Sequence, residues 1–169
     1  MQFMETFFTD RLLAERLQFQ HLNELHYMHQ DAQVMATLGG VRSDQETRLF
    51  IFNNLHHWQR YGFGLWVFRD KISNEFVGRA GLRQTDVEGH DEVELAYALM
   101  AKFWGKGLAT EMSEKILKIG FDLLGLQDIV CFTLTTNLAS KRVIEKLGFK
   151  YEYDIIYADL PHLFYRLKV

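Results

Sequence analysis

Two glycines flank a lysine in the stretch KFWGKGLATE, Lys102 to Glu111, and the apolar spacing predicts a helix immediately afterwards. Glycine costs about 1 kcal/mol relative to alanine inside a helix, so Gly105 and Gly107 at a helix start need a reason. A strand that runs through glycines into a helix leaves backbone amides unpaired at the helix N-terminus. The helix dipole favours negative charge there, and the missing side chains let a phosphate reach the backbone. Lys106 adds positive charge at the rim. The same residues also suit a glycine-capped turn with no ligand, and local sequence leaves both readings open. A P-loop is excluded, because G-x-x-x-x-G-K-[ST] does not occur. A dinucleotide fingerprint fits poorly: Thr110 stands where the third glycine belongs, and Asp128 begins the next strand where an acid should end it.

Other reactive residue types carry less. His21, His26 and His29 share one helical segment, but their spacing on a polar face fits solvent exposure, and no cysteine or carboxylate is spaced to complete a metal site. His56 and His57 are adjacent and cannot turn to one ion from one side of a helix. No metal is expected. Cys131 lies in an apolar strand, where an inert core thiol is the plain reading. Trp58, Tyr61, Phe63 and Trp66 form an aromatic group read as core, with an acceptor pocket as the other reading.

The elements that must hold these residues follow from periodicity. Arg11–Leu17 reads as a first strand. Asn23–Leu38 carries Leu25, Met28, Ala32 and Met35 near helical spacing. Ser43 and Glu46 form a capping box for a second helix with Leu49, Phe52, Leu55 and Trp58 on its apolar face. LWVFRD and EFVGRAGLRQ read as strands joined at KISN, with TDVEGHDE as a polar loop. VELAYALM alternates, placing Val93, Leu95, Tyr97 and Leu99 on one face. Beyond the glycines, Met112, Ile116, Ile119, Leu123 and Leu124 mark a long amphipathic helix. A β-branched strand, Ile129 to Thr136, leads to Asn137, placed as N-cap of a short helix that Gly148 closes. Two last strands complete the order β-α-α-β-β-β-α-β-α-β-β. The predicted fold class is α+β, a mixed and mostly antiparallel central sheet flanked by helices, in a single domain over residues 1–169.

The chain has 169 residues, enough to bury roughly 70% of its unfolded surface. A net charge of −3 gives none of the basic footprint of a nucleic-acid binder. The start lacks a signal-peptide core, and no window holds the ~18 apolar residues of a membrane span. With one cysteine, no internal disulfide is available, and a cytoplasmic location without membrane or nucleic-acid partners is expected.

Taken together, YALMAKFWGKGLATE is similar to the acetyl-CoA-binding signature [RQ]-x-x-G-x-[GA] of the GNAT superfamily. TTNLASKRVIEKLGF is similar to the segment of its RimJ/RimL-type branch (ribosomal-protein N-terminal acetyltransferases), in which N-x-x-S precedes a helix ending in Gly-Phe. FVGRAGLR and VELAYAL resemble that branch's central strands, so the likeness runs from about Leu12 to the C-terminus. Lys102 departs from the signature's Arg or Gln, keeping charge but losing planar donors. The resemblance implies that acetyl-CoA is the cosubstrate and that amides from Trp104 through Gly105, Lys106, Gly107 and Leu108 to Ala109 wrap its pyrophosphate. Lys106 and Thr110 are secondary contacts. The backbone at Leu99, Met100 and Ala101 would pair with the pantetheine arm. It implies Ser140 as the acid for the departing sulfur, Asn137 as a polar contact near the thioester or pantetheine and a backbone amide near Leu99 for the oxyanion. Glu94 is the first choice of base and Asp159 the second; Glu94 also suits a solvent-facing strand position.

The implied reaction is direct acetyl transfer to an amine, with a protein N-terminus as the acceptor that the branch suggests. An α-amine with pKa about 7.7–8.0 is roughly a tenth neutral at pH 7, so it manages with a weak or water-relayed base. Two rivals stay open: a non-catalytic acyl-CoA binding module, and a small-molecule acetyltransferase for polyamines or an antibiotic. The last predicts an acidic cleft, for which Asp86, Glu88, Asp91 and Glu92 are the available acids.

Overall fold

The computed structural model describes residues 5–169. In chain order the elements are β1 (Thr6–Phe8), β2 (Leu12–Arg16), α1 (Leu22–His29), α2 (Ala32–Met35), α3 (Asp44–Tyr61), β3 (Leu65–Asp70), β4 (Phe76–Val87) and β5 (His90–Leu99). They continue with α4 (Leu108–Lys118), β6 (Asp128–Leu134), α5 (Leu138–Lys146), β7 (Lys150–Tyr157) and β8 (Leu160–Lys168). One eight-stranded sheet runs β1-β2-β3-β4-β5-β6-β8-β7. Its neighbours are antiparallel except β5 and β6, which pair in parallel. The predicted α+β class holds, with β1 as an added edge strand.

Alternation divides the sheet into two faces. Leu82, Leu95 and Leu99 pack with Met112 and Ile116 of α4 in one cluster. Leu65 and Val67 pack with Leu25 of α1 and Ile51 of α3 in another. Cross-strand partners share a face, so the pairs Arg79↔Ala98, Gly81↔Ala96 and Arg83↔Glu94 all stand on the second face.

Local chemistry explains where the elements differ from expectation. The helix predicted over 23–38 is two helices, because Asp31 caps the second one: its Oδ1 accepts from the Gln33 and Val34 amides at 2.9 and 3.2 Å. The Ser43–Glu46 box is formed reciprocally. The buried stripe of α3, however, is Thr47, Ile51, Asn54 and Trp58, while Leu49 and Phe52 are 58% and 49% exposed. Thr47 and Asn54 escape the hydrophobic pattern because each is satisfied inside: Thr47 Oγ1 bonds His29 Nδ1, and Asn54 donates to the Phe50 carbonyl. The predicted polar loop over 85–92 is a hairpin, since β4 and β5 stay paired to Val87↔His90. Its two turn residues, Glu88 and Gly89, have φ of 51° and 83°, the positive values that such tight turns need.

The long helix expected after the glycines also changes. It widens into a π turn at Ile119–Leu123. Gly120 there lies so close to β6 that a Cβ would meet Ile129 Cδ1 at 2.7 Å, and Leu123 is turned outward. Trp58, Phe63 and Trp66 are core residues and Tyr61 is partly exposed. Trp58 donates to the Leu65 carbonyl at 3.0 Å. Among the described residues no helix is long and apolar enough to cross a membrane.

Candidate active site

The sheet is split where β5 meets β6. These strands pair only at Glu94↔Val130, and the Cys131 thiol reaches the Leu95 carbonyl at 3.3 Å just beyond. Past that point they diverge around a cleft of about 710 Å³ that opens to both faces. Backbone groups alternate in direction along a strand. With the Leu95 carbonyl turned toward β6, the backbone groups of Tyr97 and Leu99 also face the gap. Leu99 confirms this, because its carbonyl accepts the Trp104 indole N–H at 2.8 Å.

At one end of the cleft lies the glycine loop. Gly105 and Gly107 have φ of 71° and 77°, a region that L side chains avoid. No side chain caps α4, and the first amide satisfied is that of Glu111, on the Gly107 carbonyl at 3.1 Å. The six amides from Gly105 to Thr110 have no partner among the described residues. Trp104 differs from expectation: its amide is already bonded to the Ala101 carbonyl at 3.1 Å and is not free for a ligand. Leu99, Trp104, Gly105, Gly107, Leu108, Ala109 and Thr110 line the cleft, while Met100, Ala101 and Lys106 lie beside it. The Lys102 ammonium turns away to Glu75 at 2.5 Å.

A clamp from the far edge of the chain holds this loop. Arg11 donates to the Lys106 carbonyl at 2.9 Å and pairs with Glu111 at 2.7 Å. Glu111 Oε2 also accepts from the Thr9 hydroxyl and the Arg11 amide. Burial alone would raise the Glu111 carboxyl, but these donors outweigh it and hold it below its ordinary value.

The polar side chains divide between the two faces of the gap. On the α4 face, Tyr97 and Ser140 hydroxyls lie 2.8 Å apart. Burial pushes the Tyr97 phenol well above its ordinary value, so it stays protonated. Asn137 is the N-cap of α5, accepting from the Ser140 amide at 3.1 Å, and its side chain still borders the cleft. On the opposite face, Glu94 is only 5% exposed, not solvent-facing. Arg83 binds its Oε2 at 2.8 Å, and Oε1 has no partner among the described residues. Asp159 sits in the exposed turn between β7 and β8 with φ 64° and does not line the cleft. Ser140, Asn137 and Glu94 are therefore brought together and Asp159 is not.

Deeper on the Glu94 face, His29 and Arg79 are buried, contrary to the solvent exposure predicted for the histidine face; His21 is buried as well. Arg79 Nε donates to His29 Nε2 at 3.2 Å. His29 Nδ1 must then carry the proton and donate to Thr47 Oγ1 at 2.9 Å. Burial, aided by Arg79 and Arg42, lowers the His29 pKa to about 3. The unfolded chain protonates this histidine near 6.5 and the native chain refuses the proton, so stability falls as pH drops through 6.5 toward 3 and is unaffected above. Urea unfolding across this window should show His29→Gln losing up to about 1.4 kcal/mol per pH unit of that slope. An unchanged slope would mean His29 is protonated in the native state.

Tyr97 was hidden in the sequence because an aromatic ring on an apolar strand face reads as core. Its hydroxyl, two residues before Leu99 on the strand that feeds the glycine loop, was the available signal. Arg11 and Arg79 gave none, since their partners are distant in sequence. Among the described residues no group of three or more His, Cys, Asp or Glu is placed to hold a metal ion.

Comparison with known proteins adds the following. The acetyltransferase (GNAT) domain family matches residues 11–150. The chain is similar to uncharacterized protein YkkB of Bacillus subtilis (strain 168), 30% identical over 138 residues that span 82% of this chain and 80% of that one. Among solved structures it is similar to a putative GnaT-family acetyltransferase from Bordetella pertussis, with 24% identity, TM-score 0.85 and coverage of 95% and 98% of the two chains. It is also similar to RimL, a ribosomal L7/L12 alpha-N-protein acetyltransferase in complex with coenzyme A, with 20% identity, TM-score 0.78 and coverage of 95% and 96%. At these identities the two structures establish a shared fold.

Proposed function

We propose, for a chain that belongs to the GNAT acetyltransferase family, that it transfers the acetyl group of acetyl-CoA to an amine and that the amine is a protein N-terminus. The enzyme class, an acyltransferase, follows from the family; donor and acceptor are the proposal. One observation carries the donor: six consecutive amides at a helix N-terminus that are unpaired among the described residues, beside a sheet edge that opens at β5. That cradle suits a pyrophosphate, and the outward backbone of Tyr97 and Leu99 suits an extended amide chain laid along the strand. The acceptor rests on the likeness to RimL, whose own description names a protein α-amine.

Acetyl-CoA supplies a thioester whose carbonyl carbon the amine attacks, with the sulfur leaving as thiolate. Glu94 Oε1, unpaired in the cleft, takes the amine's proton directly or through a water. A backbone N–H of the gap-facing edge near Leu99 receives the charge that collects on the carbonyl oxygen. The Tyr97 hydroxyl gives its proton to the departing sulfur, and Ser140, bonded to it, orients the phenol and relays a proton from solvent back to it. Asn137 fixes the start of α5 and so the position of Ser140. The polyamine reading lacks its cleft: Asp86, Glu88, Asp91 and Glu92 do not line it, and Arg166 holds Glu92 through two bonds of 2.9 Å.

The test is a thermal melt with acetyl-CoA, CoA, ATP and NAD in parallel, followed by thiol release with a panel of amines. At a hundred times Kd the CoA ligands should add about 2.7 kcal/mol, a rise in Tm of roughly 5–10 °C for a domain of this size. ATP and NAD should add little. Equal shifts with all four would reduce the loop to a generic anion site. A CoA shift without amine-dependent thiol release would leave an acyl-CoA binding module.

A further inference from the structure

The cleft on the Glu94 face is unbalanced in charge. Arg79 is 6% exposed and borders the cleft, with its guanidinium 4.6 Å over the Phe50 ring. Its Nε–H is used by His29, and its other N–H groups meet no acceptor among the described residues. His29 offers no counter-charge, being neutral and already bonded to Thr47. The charges nearest Arg79 have its own sign. Arg42 lies 5.3 Å over the same Phe50 ring, borders the same cleft, and forms no ion pair among the described residues. Arg83 is taken by Glu94 at 2.8 Å. Among the described residues Glu94 is thus the one acid lining the cleft, and the arginine it pairs with through Oε2 is Arg83 rather than Arg79.

A guanidinium withdrawn from water without a carboxylate is costly to keep. A planar fork with free donors facing a cleft matches a carboxylate that arrives with a ligand. We propose that the acceptor carries a carboxylate close to its amine, received by Arg79 and Arg42, so that the preferred protein N-terminus is acidic within its first residues. This deepens the acetyl-transfer reading of the cleft and rests on it. Arg79 and Arg83 stand four residues apart on one face of β4, about 13 Å along the strand. An amine at Glu94 and an anion between Arg79 and Arg42 are therefore separated by a span that the first three residues of an extended peptide cover, with the acidic side chain at the second or third. His29 is a positioning residue, since it fixes the direction of the Arg79 fork through Nε2.

The experiment uses the full chain and matched acceptors: the tetrapeptide amides Ser-Asp-Asp-Ala and Ser-Asn-Asn-Ala, free glutamate and glutamine, and spermidine as a cationic control. Thiol release at saturating acetyl-CoA gives kcat/KM, and calorimetric titration into the CoA-loaded chain gives affinity without turnover. The acidic peptide should exceed its amide twin by about a hundredfold in kcat/KM, the scale expected for a buried charge pair made or lost, and should bind correspondingly tighter. Arg79→Met should bring that ratio to near one, and Arg79→Lys should restore part of it. A glutamate-to-glutamine ratio as large as that of the peptides would also support the carboxylate site while assigning it to a free amino acid. Peptide twins equal in both rate and affinity would overturn the proposal, as would a preference for spermidine. An Arg79→Met variant that slows all acceptors alike, with the ratio kept, would also overturn it by giving Arg79 a purely structural role. If no amine is turned over, the acetyl-transfer reading fails, and the calorimetric ratio still decides whether the cleft selects a carboxylate.

Discussion

Replacing Tyr97 by phenylalanine is expected to lower kcat by about 10²–10³, within the usual worth of positioned acid catalysis, while the KM for acetyl-CoA changes little. The substitution removes one oxygen and keeps the ring that packs against the α4-side core. What is lost is the phenolic hydroxyl, whose oxygen lies 2.8 Å from Ser140 Oγ. Ser140→Ala should cost less than Tyr97→Phe, because the phenol that gives the proton remains. The double variant should be hardly worse than Tyr97→Phe alone, since residues acting as one unit are not additive. Burial holds the phenol above its ordinary value, so the protonated form persists and kcat should show no alkaline fall through at least pH 9. Steady-state kinetics with a reactive peptide amine reads all of this. A kcat within threefold of the wild type would reduce Tyr97 to a core residue and leave the sulfur's proton to Ser140 or water.

The parts of this site that were legible in the sequence are those where backbone geometry dictates residue type. Gly105 and Gly107 had to be glycines because their φ is positive, and the amides they leave open lie within six consecutive residues. Asn137 and Ser43 were visible for the same reason, since a cap is a local bargain between one side chain and amides three residues on. Glu94 was named as a base with a solvent-facing position as the other reading, and the second fails because alternation with Val93 and Leu95 sends it to the other face without saying that α1–α3 bury that face. The arginines were invisible. Arg11 meets Lys106 across 95 residues and Arg79 meets His29 across 50, and neither separation leaves a periodic trace. His29 misled for a related reason: on α1 it looks like part of a polar face, and only Thr47 and Arg79, supplied from α3 and β4, make it an internal residue. Thr47 and Asn54 show the converse, polar residues on a buried stripe whose partners were already inside.

Gly107→Val should weaken acetyl-CoA binding by well over tenfold, more than about 1.4 kcal/mol, and raise its KM while kcat at saturation is largely retained. The reason is conformational more than steric. A Cβ at Gly107 would find its nearest heavy atom, Arg11 Nη2, at an ordinary 3.6 Å, so the first carbon fits. The φ of 77° does not suit a β-branched residue, for which the left-handed region costs about 1–2 kcal/mol or more. The loop can relieve that strain only by rotating, which turns the Leu108 and Ala109 amides away from a common point. It would also disturb the Lys106 carbonyl held by Arg11 and the Gly107 carbonyl that accepts from Glu111. The isopropyl group would in addition stand where the phosphate oxygens are expected. Because α4 is anchored independently by Met112 and Ile116 in the core, the ligand-free chain should lose only a few degrees in Tm, whereas its rise with acetyl-CoA should nearly vanish. Calorimetric affinity together with the two melts separates the cases. A variant that melts lower but binds acetyl-CoA as tightly as the parent would show that these glycines shape a turn, and the pyrophosphate would have to be held elsewhere.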